Sequence, residues 1–331
     1  MSAPSTPEPL ASGEAAGAAH PTAAHGTRHG TGALLPNDVD PTVFDEGFLR
    51  QLERLGLLMK QPVRGGLKGG RRSTKHGQSV EFSDYRDYAL GDDLRQLDWN
   101  VYARLERLFV KLFVEEEDVT VTLLVDASPS MAFGRPEKLL FAKRAAAALG
   151  YIALAGEDRV VVSALSGRTA RRQASLRGSG RVFRLLSLLS GIRPADGPTD
   201  LLAAARHAGT MLPGRGVVVL ISDLLDPAAD RAVRELAAQG SELVVLHVLS
   251  PDELDPPLQG DLRLVDSETG EGVDVTVDLA TLDAYKARLA AWQDGLATVA
   301  AKRRASYAPV PSDLPLADLV FAELRRRRVV G

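Results

Sequence analysis

The sequence predicts an α/β protein: a doubly wound, mostly parallel sheet with helices on both faces. Two observations carry this expectation. The runs Val119–Val125, Val160–Ala164, Val217–Ile221 and Leu243–Val248 are mostly continuous apolar stretches rather than alternating ones. Strands of that kind are covered on both faces, which is the condition of a parallel sheet. Segments with helical spacing lie between them, and strand–helix alternation places helices over the sheet, with right-handed crossovers expected.

Taken in order, residues 1–42 are rich in Ala, Gly, Pro, Ser, Thr and His. They offer too few large apolar side chains to pack and are expected to form a disordered tail. His20, His25 and His29 belong to that low-complexity composition rather than to a metal site. Residues 43–118 open with a short amphipathic helix, with Leu49, Leu52, Leu55 and Leu58 at near-helical spacing. A glycine-rich basic loop at 60–76 follows. From Arg54 to Val80 there are seven Lys or Arg and no acid. The loop falls short of a phosphate-binding loop: Arg71 replaces the lysine and no strand precedes it. A solvated loop is the default for it, ahead of a surface for RNA or an acidic partner. The next segment interleaves acids (Glu81, Asp84, Asp87, Asp92, Asp93, Asp98) with aromatics (Phe82, Tyr85, Tyr88, Trp99, Tyr102) and ends in the strand "LFVKLFVEEED". Its acids are expected to pair with arginines such as Arg86, Arg95 and Arg104, and Trp99 and Tyr102 to be packing residues.

Residues 119–250 form the alternating core. The helix "AADRAVRELAAQG" closes on Gly240, a good C-terminal stop. Residues 251–331 add a hairpin around "ETGEG", a long helix from Leu279, a short strand and a last helix introduced by Asp313 and Pro315. They are expected to pack on the same domain.

Composition narrows the function. The chain has 331 residues, a net charge of −3 and no cysteine. Disulfides, thiolate metal sites and cysteine nucleophiles are excluded, and no global field favours nucleic acid. The longest nearly apolar stretch, 145–156, is too short to span a bilayer, and the N-terminus lacks the order of a signal peptide. The expected location is the cytoplasm.

Candidate functional residues stand at strand ends. Ligands of an open parallel sheet bind beyond the carboxyl ends of its strands, where the strand order reverses. "LLVDASPSM" puts Asp126, Ser128 and Ser130 at such an end, "VVLISDLLD" adds Asp223, and the Gly/Pro loop "IRPADGPTDLL" adds Thr199. Alternate residues of an extended chain point to one side. All five are hard oxygen donors, suited to octahedral Mg²⁺ or Mn²⁺ with waters completing the shell. With at most two carboxylates, the ion keeps positive charge for a partner's carboxylate. A plainer alternative stands beside this one: Asp-x-Ser-x-Ser with Pro129 as a turn capping the helix near Lys138.

The order and alternation of "DASPS", Thr199 and Asp223 resemble the metal-ion-dependent adhesion site of von Willebrand factor A (vWA) domains over residues 119–250. The resemblance implies a vWA/Rossmann-like fold, with Asp126, Ser128, Ser130, Thr199 and Asp223 as the metal set. Asp200 is a possible extra or a helix cap. The preceding "GQSVEFSDYRDYALGDDLRQLDWNVYAR" resembles the segment that marks the domain of unknown function 58 (DUF58) family. It matches at Gly77, Glu81, Phe82, Arg86, Tyr88, Gly91, Asp92, Asp93, Arg95, Asp98, Trp99, Ala103 and Arg104. That family implies an adaptor or co-chaperone of a MoxR-type AAA+ ATPase, partnered by the ATPase or its client. The membrane helices of many relatives are not carried over.

The expected function is therefore a non-enzymatic, metal-dependent protein-interaction module. The alternative is a metal-dependent phosphatase or phosphotransferase using Asp126, against which Ser128 stands where such enzymes need a second carboxylate. A serine hydrolase lacks its Gly-x-Ser-x-Gly elbow. His207 and His247 sit on apolar elements, where a satisfied core histidine is the default.

Overall fold

The computed structural model describes residues 36, 38–59, 80–89, 92–115 and 119–327. Most of the expected tail 1–42 and all of the basic loop 60–76 lie outside the described residues. Described residues before 43 already join the body: Val39 is buried and the Asp40 amide donates to Ser190 Oγ at 3.1 Å.

The elements follow the sequence closely. They are α1 (Glu46–Met59), β1 (Val80–Asp87), α2 (Trp99–Leu105), β2 (Phe109–Glu115), β3 (Thr120–Asp126), α3 (Lys138–Ala155), β4 (Arg159–Ser166) and β5 (Thr169–Arg177). Then come α4 (Val182–Ser190), α5 (Leu201–Gly209), β6 (Val217–Ser222), α6 (Ala229–Ala237), β7 (Glu242–Leu249) and the single turn α7 (Pro251–Leu254). The chain ends in the hairpin β8 (Gly260–Val265) and β9 (Gly272–Val277), the long helix α8 (Leu279–Lys302), β10 (Ser306–Pro311) and a turn of helix, α9 (Leu316–Asp318), that continues as a π-helix over Leu319–Leu324.

Six strands form one sheet in the order β10-β7-β6-β3-β4-β5. All neighbours are parallel except β5, which runs antiparallel to β4 at the edge. An antiparallel edge strand on an otherwise parallel sheet is a common way to finish one. The sixth strand comes from 306–311, so the sheet reaches past the expected core boundary at residue 250.

Burial explains why the central runs are apolar throughout. Alternate residues of each strand face opposite layers. Val121, Leu123 and Val125 of β3 join a layer with α1, α3, α4 and α9, whereas Leu124 joins α5, α6 and α8 on the other face. The alanine run Ala145–Ala148 is fully buried and lets α3 lie close on β3. Gly150 lets α3 lie close on α4, since a Cβ there would stand 2.6 Å from Leu185 Cδ2.

Within the acidic segment β1 pairs antiparallel with β2 in a separate two-stranded sheet. Two expectations need correction. Trp99 and Tyr102 are not packing residues. They are 60% and 43% exposed and meet each other edge-on, because α2 buries none of its residues. His207 is not a core histidine either: it is exposed and accepts the Ala170 amide through Nδ1 at 3.0 Å. His247 is buried in the core with Nδ1 2.6 Å from Tyr307 Oη, but it is only half satisfied, since its Nε2 has no hydrogen-bond partner among the described residues. Burial holds its pKa down at about 4, against the nearby Asp223 carboxylate.

Candidate functional site

The strand order reverses between β3 and β6. From β3 the chain steps toward β4, and from β6 it steps the other way toward β7. The carboxyl ends of those two strands therefore flank the crevice where an open α/β sheet receives ligands.

Asp126 is the last residue of β3 and is only 3% exposed. Its Oδ2 accepts from Ser222 Oγ at 2.5 Å, across the gap to the end of β6, and its Oδ1 accepts from the Ser128 amide at 2.8 Å. Burial, and then the like charge of Asp223, raise its pKa to about 6, while the hydrogen bonds from Ser222 and Ser128 pull it down.

Ser128 precedes a short 3₁₀ turn, Pro129–Ala132, but its side chain makes no capping bond there. Its hydroxyl lies 2.9 Å from Ser130 Oγ instead. At the start of α3, Glu137 also caps without its side chain. The capping alternative therefore does not account for either serine. Gly134 lets the following loop close on the end of β7, because a Cβ there would stand 2.3 Å from Ser250 Cβ.

Asp223 follows β6. The next residue, Leu224, is buried with φ +53°, a left-handed conformation that costs a bulky residue about 1–2 kcal/mol. Ser222 Oγ holds this bend by accepting the Leu224 amide at 2.9 Å. Asp223 Oδ2 accepts from Lys138 Nζ at 2.7 Å, and the same ammonium reaches Glu253 Oε1 at 2.5 Å. Lys138 is fully buried, so these carboxylates supply the compensation that burying its charge requires. Glu253 is itself fixed by a capping box with Ser250 at the start of α7.

Thr199 lies in the loop before α5. Its amide donates to Glu268 Oε2 at 3.1 Å, while its buried Oγ1 has no hydrogen-bond partner among the described residues. Asp200, the expected extra, is the N-cap of α5 and accepts the Ala203 amide at 2.9 Å.

The structure brings all five sequence-predicted residues to one cleft of about 80 Å³, lined as well by Asp226 and Glu268. The donor set fits a hard divalent ion on two counts: its atoms are oxygens, and one of its buried hydroxyls has no hydrogen-bond partner among the described residues. Among the described residues no three His, Cys, Asp or Glu side chains group as a metal site, so any such ion here depends on the hydroxyls.

Sequence reasoning missed Ser222, Lys138, Asp226 and Glu268. Ser222 and Asp226 were within reach, as polar residues flanking Asp223 in "SDLLD". Asp226 ties two helix starts together by accepting the Leu201 and Ala228 amides at 2.9 and 2.6 Å. Lys138 and Glu268 carry no local signal.

Fold and cleft together define an α/β protein with an oxygen-lined crevice at the reversal of its sheet. Residues 84–294 match the family described as "Protein of unknown function DUF58", and the chain belongs to that family. It is 30% identical over 305 residues to the uncharacterized protein Rv1480 of Mycobacterium tuberculosis (strain ATCC 25618 / H37Rv), covering 89% of this chain and 94% of that one. The uncharacterized protein Mb1516 of Mycobacterium bovis matches to the same extent. Among solved structures, BatB from Bacteroides thetaiotaomicron is 17% identical with a TM-score of 0.40, covering 63% of this chain and 98% of that chain. An aerotolerance-related membrane protein from Bacteroides fragilis is 21% identical with a TM-score of 0.39, covering 58% of this chain and 91% of its own. Among the described residues of the present chain, no helix is long and apolar enough to cross a membrane.

Proposed function

We propose that this chain is a non-enzymatic protein-interaction module of the vWA-like kind. In this reading Asp126, Ser128, Ser130, Thr199 and Asp223 hold Mg²⁺, or Mn²⁺ in its place. The ion supplies positive charge beyond what its ligands neutralise, and an acidic side chain of a partner protein binds to it. The observation that carries the reading is the unpartnered Thr199 Oγ1 in the same cleft as the other four donors. A buried hydroxyl without a partner costs on the order of 1–3 kcal/mol, so a ligand for it is the economical explanation. The partner class proposed is a MoxR-type AAA+ ATPase or its client, on the DUF58 resemblance, and the cytoplasm is the proposed location.

Co-purification from the native host with Mg²⁺ or with EDTA tests this. The ATPase or its client should be retained with Mg²⁺ and lost with EDTA. It should also be lost from the Asp126→Ala variant, whose thermal unfolding should stay cooperative. Equal retention in Mg²⁺ and EDTA would remove the metal-bridged mechanism.

A further inference from the structure

The tip of the β8–β9 hairpin places a carboxylate in the cleft. Asp266 organises the turn by accepting the Glu268 and Thr269 amides on Oδ1 at 2.7 and 2.8 Å. Around it, Asp266, Ser267, Thr269 and Gly270 are exposed, whereas Glu268 is partly buried. Its side chain turns inward to line the same cleft as the five oxygen donors. Glu268 Oε2 accepts the Thr199 amide, the backbone of the residue whose hydroxyl has no partner.

An inward glutamate there is an arrangement that the hairpin itself does not need. The turn already closes through Asp266, with the Asp266 amide on Glu271 O at 2.8 Å and the Gly270 amide on Asp266 O at 2.9 Å. The Glu268 carboxylate lines one small space with Asp126, Asp223 and Asp226, where Lys138 already offsets Asp223. A cation held by the cleft's hydroxyls would offset the like charge that remains.

We propose that Glu268 is an internal acidic ligand of the cation site, occupying the position that a partner's carboxylate takes. This rests on the cation-site reading above and adds regulation to it. The hairpin is a tethered competitor, and a partner gains the site by displacing it. The build of the hairpin suits that role. It is a two-stranded sheet of its own, separate from the six-stranded one, and its strands are exposed at nearly every residue. Among the described residues, the Thr199–Glu268 contact is the hydrogen bond that joins its turn to the body. A two-stranded hairpin is marginal on its own, so its docked position depends on such contacts.

The test uses the full chain, Mn²⁺ as the probe, and the variants Glu268→Gln and Glu271→Gln, the second being an exposed acid of the same turn. Mn²⁺ affinity is read by electron paramagnetic resonance, and amide exchange of residues 260–277 is followed with and without Mn²⁺. If Glu268 is a ligand, Glu268→Gln weakens Mn²⁺ binding on the order of tenfold, while Glu271→Gln leaves it unchanged. Mn²⁺ then slows hairpin exchange in the wild type and not in Glu268→Gln. If the wild type binds Mn²⁺ and Glu268→Gln binds it equally well, with hairpin exchange indifferent to the ion, the internal ligand is overturned and the cation site stands. If the wild type takes up no Mn²⁺, both fall together.

Discussion

The 80–115 segment and the carboxyl edge of the sheet are both rich in acids, yet they use them in opposite ways. In the segment Asp87, Asp92, Asp93 and Asp98 each find a donor within the segment itself. Asp92 takes Arg86 and the Ala89 amide, both at 2.8 Å, and Asp87 takes Arg107 at 2.9 Å. Asp93 caps the Leu94–Gln96 turn and Asp98 caps α2. At the sheet edge, Asp126, Thr199, Asp223 and Glu268 arrive from four separate segments, and a hydroxyl among them is left without a partner. Polar residues satisfied locally build structure. Polar residues that converge from afar and stay incompletely satisfied are the ones with capacity for a ligand.

The comparison can be broken first at Lys138, where the largest effect is expected. Lys138→Met leaves Asp223 and Glu253 without their shared cation in a buried setting. We expect a loss of about 3–5 kcal/mol in urea unfolding. A loss below ~1 kcal/mol would mean that this edge is as solvent-screened as the exposed Asp87–Arg107 pair.

The next effect concerns Asp126, whose pKa is raised from 3.8 to about 6 in the fold. A carboxyl that binds its proton more tightly when folded adds stability below its unfolded pKa and loses it as pH rises to the folded value. In metal-free buffer, the stability of the wild type relative to Asp126→Asn should therefore fall by up to ~3 kcal/mol between about pH 4 and pH 6, and then level off. A difference that rises over that window would place Asp126 among the locally satisfied acids.

A smaller effect is expected in the other region. Asp98 Oδ1 accepts the Asn100 and Val101 amides at 2.9 and 3.2 Å, and Oδ2 accepts from Tyr85 Oη at 2.8 Å. Asp98→Ala should cost about 1–2 kcal/mol as a lost cap and speed amide exchange across 99–105. It should leave cation affinity unchanged. A change in affinity would tie the two regions together.

Much of this was legible in the sequence because it follows from burial pattern and strand position. Continuous apolar runs gave the parallel strands, their polar ends gave Asp126, Ser128, Ser130 and Asp223, and the Gly/Pro loop before a helix gave Thr199. The capping alternative for "DASPS" could be removed only by seeing Ser128 Oγ bond Ser130 rather than the backbone. Trp99 and Tyr102 misled because aromatic composition says nothing about which neighbours exist, and among the described residues nothing buries any residue of α2. Lys138 and Glu268 were illegible for the same physical reason. Their contacts, to Asp223 and to Thr199, span 85 and 69 residues and follow from tertiary packing rather than from spacing.

The central claim is that the cleft's oxygen donors are placed for a cation, and Thr199→Val tests it most directly by removing the cleft hydroxyl that is buried without a partner among the described residues. Mn²⁺ affinity and metal-free stability are measured on the same variant. The account predicts affinity weakened on the order of tenfold, with metal-free stability unchanged or raised by about 1 kcal/mol. Unaltered Mn²⁺ affinity, or a metal-free protein made less stable by losing the hydroxyl, would contradict it.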